Sequence, residues 1–187
     1  MNSILVFFVS VSILFGGEYQ VDRSKNNMVK FISDAPIEDF EGVTDKIDGY
    51  IYWEGSDLTE KSEIYLEVDL NSLDTGFGLR NRHMRENYLE TDKHPLTYFQ
   101  GKITSVHVDS PEIRAVEAEG KIFIHGVEQV LKVAGMMIKD GSGYRIQINF
   151  IVKLSDFEIE IPSIMFYKID EDMKMHLDFY IKSVTQE

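Results

Sequence analysis

The sequence predicts an all-β domain: eight amphipathic antiparallel strands, closed as a barrel or stacked as a sandwich, with one short helix inserted after the third strand. Three observations carry this expectation. Apolar and polar residues alternate along several long segments, turn residues separate those segments, and one stretch, Leu79 to Leu89, breaks the alternation without a Gly or Pro. Alternation with period two sends successive side chains to opposite faces, so each strand has one dry face and one wet face.

In chain order, Met1 to Gly17 comes first. Its run Ile4 to Phe15 is almost wholly apolar but too short to span a hydrocarbon core of ~30 Å. Length and position fit the hydrophobic region of a secretory signal peptide, which places the mature domain at residues 18–187 and gives it no stable membrane span once the leader is removed. Met28–Ser33 and Ile47–Trp53 then read as the first two strands. In the third, Ile64, Leu66, Val68 and Leu70 alternate with Glu63, Tyr65, Glu67 and Asp69.

The stretch from Val68 to Phe99 organises the chain. It opens as the end of one strand and closes as the start of another, and Leu79–Leu89 between them reads as the helix. Asn71, Ser72, Asp74 and Thr75 are candidate caps ahead of it, and Pro95 stops any continuation. Further strands read at Tyr98–Val108, Ile113–Ile124 and Val127–Ile138. The seventh runs from Tyr144 to Leu154, with Ile151 as its one apolar exception on the polar face, and the eighth from Met173 to Ile181. Gly55–Ser56–Asp57, Asp109–Ser110–Pro111, His125–Gly126 and Asp140–Gly141–Ser142–Gly143 mark turns. Asp156–Ile169, which contains Pro162, reads as a loop or short helical turn at the rim.

Composition narrows the function. The 187 residues suit one domain with a sizeable core, and their net charge of −13 repels phosphate backbones, so nucleic acid is not an expected partner. The absence of cysteine removes thiolate nucleophiles and Cys-type zinc sites. His83, His94, His107, His125 and His176 show no metal-ligand spacing. There is no serine elbow, P-loop or dinucleotide fingerprint. We therefore expect no catalysis, no metal and no cofactor.

The central stretch resembles the YceI-like family of exported proteins, described as polyisoprenoid- or lipid-binding. The resemblance is carried by Ser72, Leu73, Thr75 and Gly76, then Arg80, Asn81, His83, Met84 and Arg85, then Leu89, and then Pro95 and Phe99. Tyr19, Val21 and Asp22 are similar to the family's mature start, and Gly120–Val127 to its central segment. Asn81 departs from the pattern, where Asp is commoner, as does His94 before Pro95. The resemblance implies a lipocalin-like eight-stranded barrel with an apolar interior, a periplasmic or secreted location, and a lipid ligand of isoprenoid or fatty-amide type.

On that reading Leu66, Ile122, Ile124, Leu131, Ile146 and Ile148 are candidate walls, with Phe150, Leu177 and Phe179 beside them. Phe31, Trp53 and Phe99 are candidate aromatic liners. Tyr88, Leu89, Leu96 and Phe99 would plug one end. Arg80 and His83 would either touch a ligand head group at the mouth or hold the helix in place, Arg80 by pairing with an acidic neighbour. Gly49, Gly101, Gly120 and Gly135 within strand patterns fit a hollow, and equally fit bends and bulges. Met136, Met137, Met165, Met173 and Met175 would suit a wall that adapts to a flexible lipid.

Two other readings stand beside the carrier. One is a stress-associated structural or interaction module with a solid barrel, binding through exposed Tyr50, Tyr52 and Tyr180. The other is an enzyme acting on a held lipid, which needs a polar cluster such as His83 with Tyr88. The sequence leaves a homodimer open.

Overall fold

The computed structural model describes residues 17–34, 39–164 and 167–184; the expected leader, except Gly17, lies outside them. Along the chain come β1 (Gly17–Val21), β2 (Met28–Ser33), β3 (Phe40–Thr44), β4 (Ile47–Trp53) and β5 (Glu63–Asp69). Helix α1 (Gly78–His83) follows and runs on as a wider π-helical turn, Met84–Tyr88. Then come β6 (Leu96–Ser110), β7 (Ile113–Ile124), β8 (Val127–Asp140) and β9 (Gly143–Lys153). A 3₁₀ turn, Leu154–Phe157, leads to the small hairpin β10 (Ser163–Ile164) and β11 (Tyr167–Lys168), and β12 (Asp172–Ser183) ends the fold.

Ten of these strands form one antiparallel sheet that closes on itself. β12 pairs with β9 along one edge. Along its other edge it pairs first with β2, from Met173↔Ser33, and then with β1, up to Tyr19↔Ser183. β1 and β2 therefore lie end to end as one broken strand. β3 and β4 lie beside them in the same way, β3 on β2 and β4 on β1. The ten strands thus occupy the eight rows of a closed barrel.

The helix follows the fifth strand, not the third as expected. The two strands missed, β1 (GEYQV) and β3 (FEGVT), are five residues long and too short to show a period of their own. The break between β1 and β2 is bridged by Asn27. Its side-chain amide donates to the Asp22 carbonyl at 3.0 Å, and its carbonyl oxygen accepts from the Tyr180 backbone N–H at 3.0 Å. Buried polar backbone is thereby satisfied where the ladder is interrupted.

The alternating faces converge on the interior. Phe179 is fully buried, and Val21, Ile47, Trp53, Ile103 and Ile181 share its cluster. A second cluster, including Ile122, Val152, Leu154, Phe157 and Met173, lies toward the rim formed by the 3₁₀ turn. Trp53 closes the opposite end: its ring stacks on Tyr19 at 4.5 Å, with Tyr144 edge-on at 6.3 Å.

Candidate functional site

The barrel is not filled by its own side chains. A cavity of about 790 Å³ lies inside it, covered at one end by α1. The walls come from inward positions on most rows of the barrel. Phe31, Leu66, Phe99, Ile122, Ile124 and Leu131 border the cavity, as do Ile146, Ile148, Phe150, Leu177 and Phe179. Arg80 and His83 of α1 and Tyr88 of the turn that continues it border the cavity at the helix-covered end, His83 being an exposed residue. Trp53 does not border it. It points inward like its neighbours in alternation, but Tyr19 and Tyr144 cover it, so it plugs the far end instead of lining the hollow.

Several bordering residues had no strand alternation to reveal them. Leu73, Phe77, Leu79 and Met84 come from the helical segment and its approach, beside Leu89, which was expected at this end. Met136, Met137, Met173 and Met175 also border the cavity, as the methionine clustering suggested, while Met165 lies outside the described residues.

The helix is held by a hydrogen-bonded turn. The expected caps do not cap it: Phe77 occupies that position with no side-chain bond. Asp69 caps the preceding 3₁₀ turn, its carboxylate accepting from the Asn71 backbone N–H at 2.9 Å. Asn81 then reaches back, its carbonyl oxygen accepting from the Thr75 backbone N–H at 2.8 Å and the Thr75 hydroxyl at 2.7 Å. The Asn81 amide donates to the Asp74 carboxylate at 2.7 Å. That bond, and next the Gly76 backbone N–H, hold the Asp74 carboxyl below the usual carboxylate range.

Arg80 bonds to Thr75, where an acidic partner was expected. Its Nε donates to the Thr75 hydroxyl and its Nη2 to the Thr75 carbonyl, each at 2.9 Å, and its guanidinium lies 4.7 Å from the Phe40 ring centroid. The fixed fork of donors thus locks the turn, and one face of the group borders the cavity mouth. Asp74 also exchanges backbone hydrogen bonds with Val43, at 2.9 and 3.0 Å, which seals the outer edge of β3.

The polar residues bordering the cavity are Arg80, His83, Tyr88, Thr97 and Tyr98, all toward the helix end, although the Tyr98 ring stacks on Phe123 and Tyr65; no Asp or Glu borders it among the described residues. His83 and Tyr88 both border the cavity, and no hydrogen bond joins them among those residues. Among them, too, no group of His, Asp and Glu gathers where it could hold a metal ion, and no helix is long and apolar enough to cross a membrane. Of the surface tyrosines, Tyr52 is exposed. Tyr50 is half-buried and donates to Glu63, and Tyr180 is half-buried beneath Arg145 and Lys25.

A closed antiparallel barrel with an apolar-lined, unfilled interior and a helix across one end defines a lipocalin-like architecture. The chain belongs to the YceI-like family, whose domain model matches residues 19–181. Its fold is shared with BcnA of Burkholderia cenocepacia, at 15% identity and a TM-score of 0.69 over 86% of this chain and 98% of that one. It is shared as well with a polyisoprenoid binding domain of Saccharophagus degradans implicated in plant cell wall breakdown, at 16% identity and 0.67 over 90% and 99%. The YceI protein of Campylobacter jejuni aligns at 15% identity and 0.59 over 78% and 85%. No protein of curated function matches the chain in sequence.

Proposed function

We propose that this chain is a non-catalytic carrier that sequesters one long apolar lipid, isoprenoid-like or fatty-amide-like, inside its barrel. The observation that carries the reading is the cavity of about 790 Å³, apolar along its walls and polar only toward the helix end. That volume lies within the ~300–1,000 Å³ common to small-molecule sites. The lipid tail would lie against Leu66, Ile122, Ile148 and Phe150, with its polar end near Arg80 and His83. The polyisoprenoid binding domain among its structural neighbours supports the isoprenoid class.

Energetics suit carriage. Each buried CH₂ contributes ~0.8 kcal/mol against water, which would sum past any practical affinity for a long chain. A lipid leaving a bilayer is already dry, so its transfer is close to neutral, and cavity shape and head-group contact decide which lipid is held. Export by the leader, and hence a periplasmic or secreted location, belongs to the same proposal.

Native mass spectrometry on protein purified from its own host tests it. We expect one lipid per chain, with organic extraction recovering a prenyl or long acyl species. Protein that is consistently empty, and that takes up no added prenyl lipid or fatty amide, would falsify the reading.

A further inference from the structure

β8 and β9 are neighbours in the sheet, but they are paired over only part of their lengths. The ladder joins Asp140↔Gly143 through Gly135↔Ile148 and then stops. Toward the rim, Val130–Ala134 of β8 lie along Asn149–Lys153 of β9 with no pairing between them among the described residues. Continuing the register would set Val133 opposite Phe150 and Leu131 opposite Val152, and all four of these side chains border the cavity.

The gap does not come from fraying. The other edge of β8 is paired with β7 without interruption from Ile113↔Ile138 to Ile124↔Val127. The other edge of β9 is paired with β12 from Ile181↔Tyr144 to Asp172↔Lys153, and the Arg145 guanidinium donates to Asp178 across that seam at 2.7 Å through Nε. Both strands are therefore anchored, and the space between them can widen without unfolding either one.

The gap is also bounded at both ends. At the inner end stands Gly135, where a Cβ would come 2.8 Å from the Gln147 carbonyl oxygen. At the rim, the Gln129 side-chain amide donates to the Asp156 carbonyl at 2.8 Å, and His125 Nδ1 lies 3.1 Å from the Phe157 carbonyl. From Gln129 to Gly135 is six residue steps of β8, ~20 Å of strand. The outer face flanking the gap carries Val130 and Ile151, exposed to 68% and 57%, at positions where the alternation calls for polar residues. The helix-covered end, in contrast, is fixed by the Arg80, Asn81 and Asp74 bonds.

We propose that this window between β8 and β9 is a lateral portal through which a prenyl or acyl chain passes between a bilayer and the cavity, with Val130 and Ile151 meeting the bilayer. The inference rests on the carrier reading. Sideways passage moves the tail from one dry medium to another along a continuous apolar wall.

The chain lacks cysteine, so single-cysteine variants give unique attachment points. Val130→Cys and Ile151→Cys flank the window, and Glu86→Cys sits exposed on the turn that continues α1. Each is coupled to a bulky polyethylene-glycol maleimide, its fold checked by circular dichroism, and the transfer of a fluorescent prenyl probe from vesicles is timed. Modification at 130 or 151 should slow transfer about tenfold with the final occupancy unchanged, while modification at 86 leaves the rate near that of the unmodified protein. Gln129→Ala, which removes a rim bond, should speed transfer. Slowing at 86 alone, equal slowing at all three sites, or no acceleration by Gln129→Ala overturns the portal while leaving the carrier reading intact. No uptake by the unmodified protein overturns both.

Discussion

Asn81 explains a local choice in the chain. Its amide donates to Asp74, so an acid at position 81 would set two carboxylates in contact. Asn81→Asp should therefore melt at a lower temperature than the parent at neutral pH, and Asp74→Asn added to it should restore the loss. The sign with pH follows. Asp74 has a lowered folded pKa, so the stability it contributes is present above the ordinary carboxylate value and fades as pH falls through the folded value. The deficit of Asn81→Asp should shrink in the same direction, as protonation of one acid restores a donor. Thermal melts of the two variants at neutral and acid pH check this; an Asn81→Asp protein as stable as the parent at neutral pH would contradict the turn described. The sequence marked Arg80, Asn81 and Thr75 as a motif. It could not show that Thr75 receives the Arg80 fork, because that contact depends on the turn's backbone path.

At the scale of elements, a glycine pair makes room for a wall residue. Gly101 and Gly120 face each other across β6 and β7, and the Phe99 ring lies over Gly101. A Cβ on Gly120 would come 2.2 Å from the Gln100 carbonyl oxygen and 2.5 Å from the Gly101 Cα, both backbone atoms that cannot step aside. Gly120→Ala should cost about 1–3 kcal/mol of stability, read as a fall in the urea midpoint at unchanged slope. Strand existence was legible wherever alternation ran long, as in β5, β9 and β12. The five-residue strands β1 and β3 escaped because so short a run carries no period. The β8–β9 window escaped for another reason: alternation tells which face is dry, not which edge is paired. Its traces were Val130 and Ile151, apolar residues on polar faces.

At the scale of the molecule, the hollow depends on small residues as well as on large ones. Ala118 is buried in the wall and borders the cavity. Ala118→Trp should project an indole into the space and lower the lipid recovered per chain well below that of the parent, while Tyr52→Ser on the outer face leaves it unchanged. Native mass spectrometry of both proteins measures this, and a full lipid load in Ala118→Trp would mean that the ligand does not lie in the cavity. The sequence identified the inward faces but could not show whether they meet. Trp53 illustrates this: its face was read correctly, but its depth along the barrel, where Tyr19 covers it, was not encoded in any period.

The pairing of β1 with β12 has one more consequence. The Val184 backbone N–H donates to the Glu18 carbonyl at 2.9 Å, so the two described ends of the chain meet beside the Trp53 plug. A surface, tag or neighbouring domain tethered through either terminus would hold the protein by its sealed base, with the helix-covered opening directed away from the attachment point.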